Sequence, residues 1–166
     1  MLIYHPAYDA YHCVFRTLLL TDSLVAIEIQ KLRILDFFLC FPAELSKVRL
    51  PREHSDAKRL AIQLRNDYHG PISINQAFRD MEHIHLATFR SLAASAVIDQ
   101  TNIEQGIVKR TGIALKDELK RKIESVAERD KIILEYIVNR LGALPLNGLN
   151  GLKDRTGLME YRYDIT

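Results

Sequence analysis

Two apolar stripes run along the segment between residues 24 and 41. Val25, Ile29, Leu32 and Leu39 form one, and Ile27, Ile34, Phe38 and Phe41 form the other. A helix with one stripe lies on a core, whereas a helix with two is enclosed on most of its circumference. The segment therefore predicts a central helix over residues 24–39, packed around by the rest of the chain. Pro42 ends it, because proline disfavours helical geometry in the residue before it.

Tyr11, Val14 and Leu18, spaced three and four apart, predict a first helix over residues 10–20, entered through a loop at Pro6 and Asp9. Thr21-Asp22-Ser23 reads as a stop and restart, with Asp22 or Ser23 as an N-cap. Residues 43–49 form a short helical turn. Ala57, Leu60, Ala61 and Leu64 predict a helix over 57–68, and His69-Gly70-Pro71 breaks it.

Residues 75–82 and 86–95 read as two helices, with Phe78 and Met81 inward on the first and Phe89, Leu92 and Ala93 inward on the second. A strand over 96–99, a polar loop over 100–106 and a returning strand over 107–111 follow. Helix, helix, hairpin is the order of a winged-helix unit. Leu119, Ile123, Val126, Ile133 and Ile137 predict one long helix over 115–141, with mixed charges on its outer face. Beyond Pro145, three glycines (Gly148, Gly151, Gly157) with Asn147 and Asn150 read as a flexible segment. Residues 159–165 alternate as a terminal strand, either edging the wing or donated to a partner. The expected fold is mainly α with a small β-hairpin wing: a winged-helix-like α+β domain with a long C-terminal helix. It divides into a helical region 1–70, a winged-helix-like unit 71–114, a long helix 115–142 and a tail 143–166.

Catalytic constellations are missing from this pattern. There is no GxxxxGK[ST] or GxGxxG turn to cradle a phosphate, and Gly106 and Gly112 flank the return strand as turn residues. His83 and His85 lie two apart and point to different sides of a helix. Glu82 and His85 make a single ExxH where a di-iron bundle needs two. Cys13 and Cys40 sit in apolar patterns and are expected to be buried, reduced thiols. His12 adjoins Cys13, but helical neighbours diverge by about 100°. Asp36, among Leu35, Phe37 and Phe38, must be paired if it is buried, with Arg33 or Arg16 as partner. No catalytic residue, metal or cofactor is expected. No apolar run reaches the ~18 residues of a membrane helix, and the N-terminus lacks a basic signal-peptide start, so a cytoplasmic protein with no membrane partner is expected.

Binding residues are easier to find. Tyr4, His5, Tyr8, Tyr11 and His12 crowd the N-terminus, either capping the first helix together with Asp9 or forming an aromatic docking knob for a larger protein. The helix over 86–95 is otherwise built of small residues and offers one strong base reader, Arg90. It suits protein contact through Phe89 and Leu92 better than the major groove. Tyr161 and Tyr163 on the terminal strand complete the partner set. Net charge is +2, so DNA contact needs a local patch. Lys47, Arg49, Arg52, Lys58, Arg59 and Arg65 outnumber Glu53 and Asp56, and Lys109 and Arg110 lie on the wing. These eight could meet DNA backbone without reading sequence.

Tyr4-His5-Pro6, Tyr8-Asp9-x-Tyr11-His12, Phe15-Arg16 and the run Leu32-Arg33-Ile34-Leu35-Asp36-Phe37-Phe38-x-x-Phe41-Pro42 together resemble a family. It is the middle components of bacterial three-component ABC or SMC-type ATPase defence systems, which include the third subunit of Lamassu-type antiphage systems. The resemblance extends more loosely to residue 111. It implies a non-catalytic adapter between an SMC- or Rad50-like ABC ATPase and an effector, often a nuclease, touching DNA indirectly or by its backbone. The alternative from the residues alone is a winged-helix DNA-binding transcriptional regulator.

Overall fold

The computed structural model describes residues 4–67 and 69–160. Asp9 opens the first helix, α1 (Ala10–Ser23), its Oδ1 accepting the Tyr11 backbone N–H at 2.7 Å. That carboxylate satisfies one of the backbone donors a helix start leaves unpaired. The helix runs through Thr21-Asp22-Ser23 rather than stopping there. The Thr21 hydroxyl donates to the Thr17 carbonyl at 2.8 Å and so stays within the helix.

The central helix is shorter than its apolar stripes predict. Residues 26–28 form a strand, β1 (Ala26–Glu28), and α2 spans Ile29–Cys40. Val25 is 76% exposed, while Ile27 is buried against the strand's partner. A short run of branched residues fits a strand as well as a helix turn, and here pairing decides. β1 lies antiparallel to β2 (Ile107–Lys109), with Ile27 opposite Val108. Helix α2 keeps its predicted end at Pro42, and Leu32, Ile34, Leu35, Phe37 and Phe38 are all buried.

Two 3₁₀ turns (Pro42–Lys47 and Arg52–His54) lead to α3 (Asp56–Gln63). Helices α4 (Ile74–Asp80) and α5 (Glu82–Ala94) follow, the first capped by Ser73. The expected polar loop at 100–106 is instead mostly a short helix, α6 (Gln100–Glu104), because Asp99 Oδ1 caps the Asn102 N–H at 2.8 Å. Gly106, at φ +79°, turns the chain from α6 into β2, a backbone region open to glycine. The expected hairpin is thus redrawn. Strand β2 takes β1 as its main partner, and residues 97–99 meet it only through the Ile98–Arg110 bridge and flanking bonds such as Asp99 N–H to Lys109 O at 2.9 Å.

The long C-terminal helix is broken. Helix α7 (Asp117–Arg129) stops at Asp130, α8 (Lys131–Tyr136) restarts, and a π-helical turn, Ile137–Leu141, ends the run. Asp130 has left helical geometry (φ −102°, ψ 17°), and its carboxylate is held by the Arg129 guanidinium at 2.7 and 2.9 Å. The predicted stripe survives the break, since Ile123, Ile133 and Ile137 are all buried.

The glycine-containing segment is packed and hydrogen-bonded rather than loose. It builds α9 (Leu152–Thr156), with Leu152 fully buried and its N–H donated to the Pro145 carbonyl at 2.8 Å. A Cβ at Gly151 would sit 2.4 Å from the Asn147 carbonyl oxygen, so this turn excludes a side chain. Arg49 fastens the helix by donating to Asp154 Oδ1 at 2.7 Å. The terminal strand over 159–165 lies outside the described residues apart from Met159 and Glu160. One apolar cluster runs from Ala7 through α1, α2, α5 and α8 to Leu152. No helix among the described residues is long and apolar enough to cross a membrane. Among the described residues the fold is mainly α with one two-stranded antiparallel sheet.

Candidate partner-binding surface

The N-terminal residues are joined to one another by hydrogen bonds. The Tyr4 hydroxyl lies 2.5 Å from Asp9 Oδ2 and 2.7 Å from His12 Nδ1. Its single proton goes to the carboxylate, so His12 carries a proton on Nδ1 and donates it to the tyrosine oxygen. The shared bond holds the Tyr4 hydroxyl above, and the Asp9 carboxyl below, their ordinary pKa values. Asp9 thus serves the α1 cap and the aromatic cluster at once. His5 Nδ1 accepts the Ala7 N–H at 3.0 Å and starts the preceding 3₁₀ turn.

Aromatic contacts extend this network. The His5 ring stacks on Phe41 with centroids 4.8 Å apart and meets His69 edge-on at 5.6 Å. Partial burial, and then His69, pulls the His5 pKa down. Tyr11 packs edge-on against Phe15 at 4.7 Å, and the Lys122 ammonium donates to its hydroxyl and lies over its ring. Yet Tyr4, Tyr8 and Tyr11 are 59%, 42% and 52% exposed. A groove of about 480 Å³ opens beside them. Tyr4, His5 and His12 line one side, Phe15 and Phe41 the apolar floor, and the α7–α8 junction at Arg129 the far side.

Beneath the groove lies a buried ionic cluster. Arg16 Nε donates to Asp36 Oδ1 at 2.6 Å and its Nη2 to Oδ2 at 3.1 Å. His85 Nε2 lies 2.8 Å from the same Oδ2 and donates to it. Asp36 and His85 are fully buried, and Arg16 is 7% exposed. Burial pushes the Asp36 carboxyl pKa up, but Arg16 and His85 outweigh it and bring the value to about 2. Arg16 Nη1 also donates to the Pro6 carbonyl at 3.0 Å, tying the aromatic loop to the core. Of the two expected partners for Asp36, Arg16 is used, while Arg33 pairs with Glu82 at 3.0 Å. Sequence reading missed His85, although Met81 and Phe89 four residues either side of it marked a buried face.

Cys13 Sγ joins Asp36 and His85 within 4.8 Å, a spacing metal ligands share. The donor set does not suit a cation, because a guanidinium already neutralises the only carboxylate. Burial, and then Asp36, pushes the Cys13 thiol up to about 11, so it remains protonated.

The other predicted surfaces fare differently. Phe89 is 1% and Leu92 5% exposed, so both face this chain's own core and offer nothing to a partner. Their neighbours on α5, such as Ala87 and Ser91, are the exposed ones. Tyr161 and Tyr163 lie outside the described residues. The basic set splits. Lys47 pairs with Glu44 at 2.7 Å, Arg65 with Asp67 at 2.5 Å, Arg49 with Asp154 and Arg110 with Asp22. Arg52, Lys58, Arg59 and Lys109 are exposed and make no ion pair with a described residue.

The fold thus defines a small helical protein with a pre-ordered aromatic surface over a neutralised core. The family model for the ABC-three component (ABC-3C) system Middle Component 5 matches residues 2–164. The chain belongs to that family and is one component of a three-component system with partner proteins. No curated protein and no solved structure matches it.

Proposed function

We propose that the chain is a non-catalytic adapter that links an SMC-like ABC ATPase to an effector, a nuclease in the expected case, within an antiphage or anti-plasmid defence complex. Membership of a three-component family supports the reading. The observation that carries it is the N-terminal surface: three exposed tyrosines beside an apolar groove, Tyr4 held by Asp9 and His12, Tyr11 by Lys122, and Tyr8 against the rings of His5 and Phe41. Tyrosine supplies contact area with few rotamers to freeze, and a surface ordered before binding loses little entropy on docking. Tyr4, His5, Tyr8, Tyr11 and His12 are the contacts for the ATPase.

An adapter of this kind needs no chemistry of its own. It transmits a change of ATPase state if it binds one state better than the other, because a ligand shifts an equilibrium only by its differential affinity.

Co-expression of all three components tests the proposal. The chain is expected to co-elute with the ATPase component in size-exclusion chromatography at low and physiological salt. A folded chain eluting alone beside a folded ATPase contradicts it.

A further inference from the structure

We propose that the outer edge of β1 pairs antiparallel with β1 of a second copy of this chain, joining the two sheets across a two-fold axis at Ile27. The contact goes beyond the adapter reading and uses a different surface, since Val25, Ala26 and Glu28 do not line the groove beside the tyrosines.

The register fixes which way each residue of β1 faces. Opposed residues of an antiparallel pair alternate between those that exchange backbone hydrogen bonds and those that do not. Ile29 donates its N–H to the carbonyl of Gly106 at 2.8 Å. Ile27, two residues back, bonds Val108 in the same way. Ala26 and Glu28 therefore turn their N–H and C=O groups away from β2. The far side of β2 agrees, because the Lys109 carbonyl accepts the Asp99 N–H at 2.9 Å and Thr111 donates to the Val97 carbonyl at 3.0 Å. Alternate residues of β2 thus serve two neighbours, and both its edges are covered. The outward groups of Ala26 and Glu28 meet no hydrogen-bond partner among the described residues. Both residues are exposed. Such an edge is a template for another strand.

The side chains around the edge select β1 itself as that strand. Pairing about Ile27 sets Ala26 against Glu28 of the second copy at two symmetric places, and each pair exchanges both its backbone bonds. Lys109 stands beside Ala26 on the exposed face and makes no ion pair with a described residue. The small Ala26 side chain lets Lys109 reach over it to Glu28 of the second copy, about 10 Å away across two strand spacings. Glu28 meets the field of Lys31 on its own helix, again without an ion pair among the described residues. Val25, 76% exposed, comes opposite the half-buried Ile29 of the second copy. The edge thus asks for an acid beside Lys109 and an apolar residue beside Val25, and β1 run in reverse carries both. Sliding the register to set Glu28 against Glu28 puts like charges opposite each other. Three residues a side cover far less than the roughly 1,600 Å² of a standard interface, so the free chain forms a weak dimer.

The test is sedimentation velocity of the full chain from micromolar to millimolar concentration, where a monomer–dimer equilibrium is expected. Ala26→Pro removes an outward N–H, which an edge strand tolerates, and is expected to raise the dissociation constant about tenfold or more. Glu28→Lys and Lys109→Glu are each expected to weaken the dimer about tenfold, since each sets like charges together twice. The double variant is expected to return to within about threefold of the unaltered chain. Both charged positions are exposed, so these variants keep their fold, which circular dichroism verifies, and they decide the matter if Ala26→Pro does not fold. The proposal is overturned by a chain that stays monomeric throughout, by single reversals that leave the affinity within about twofold, or by a double variant as weak as the singles. A monomeric chain that binds the purified ATPase or effector component less tightly after Ala26→Pro also overturns it, and gives the edge a different occupant.

Discussion

Replacing Asp36 with Asn is expected to remove about 3–5 kcal/mol of stability, because it leaves the Arg16 guanidinium buried without its counter-charge. For a chain of this size that lowers the melting temperature by roughly 10 °C or more. Three donors converge on this carboxylate: Arg16 Nε, Arg16 Nη2 and His85 Nε2. An amide retains one acceptor oxygen and turns its NH₂ towards donors. Removing both charges, with Arg16→Met and Asp36→Leu, is expected to cost less than the single change, since no unpaired charge stays buried. The effect depends on pH. The folded-state pKa of Asp36 lies below its unfolded value of about 3.9, so its contribution is present above that pH and is lost as pH falls towards about 2. Thermal melts of the unaltered chain and Asp36→Asn are therefore expected to converge between about pH 4 and pH 2. A gap that stays constant over that range contradicts the assignment.

Phe89→Ala is expected to cost about 3–5 kcal/mol, the range for emptying a phenylalanine site in a packed core. Phe89 is 1% exposed, and its ring lies 6.1 Å from that of His85. The variant thus loosens the packing around the ionic cluster as well. Chemical denaturation is the measurement. Where the variant remains folded, its affinity for partner components is expected to match that of the unaltered chain. A stable variant that binds weakly instead would return Phe89 to a docking surface.

The two largest effects concern features the sequence disclosed unequally. Asp36 could be read as a paired buried acid from its apolar neighbours, and Arg16 as a partner. His85 could not be distinguished from His83 by type, only by its place on a helix face. Phe89 and Leu92 face inward, as their spacing on the helix predicts, and that same burial removes them from the partner contact also expected of them. The strand at 26–28 was hidden because Val25 and Ile27 fit a helical stripe until Val108, far along the chain, pairs with Ile27. Local periodicity carries no information about such a partner. The glycines near the C-terminus misled for a related reason. Their composition suits a loose linker, whereas Arg49 and the Pro145 carbonyl hold the segment in place. What local chemistry does dictate was legible: Pro42 ends α2, Asp9 caps α1, and the aromatic cluster gathers around that cap.

Loss of binding in a chain with Tyr4, Tyr8 and Tyr11 all changed to Ala tests the adapter account most directly, with calorimetry against the purified ATPase component. The three rings are mostly outside the core, so stability should fall little. Affinity should drop about a hundredfold, some 3 kcal/mol, as expected when central aromatic contacts of an interface are truncated. An affinity unchanged from that of the unaltered chain, in a variant that still folds, contradicts it.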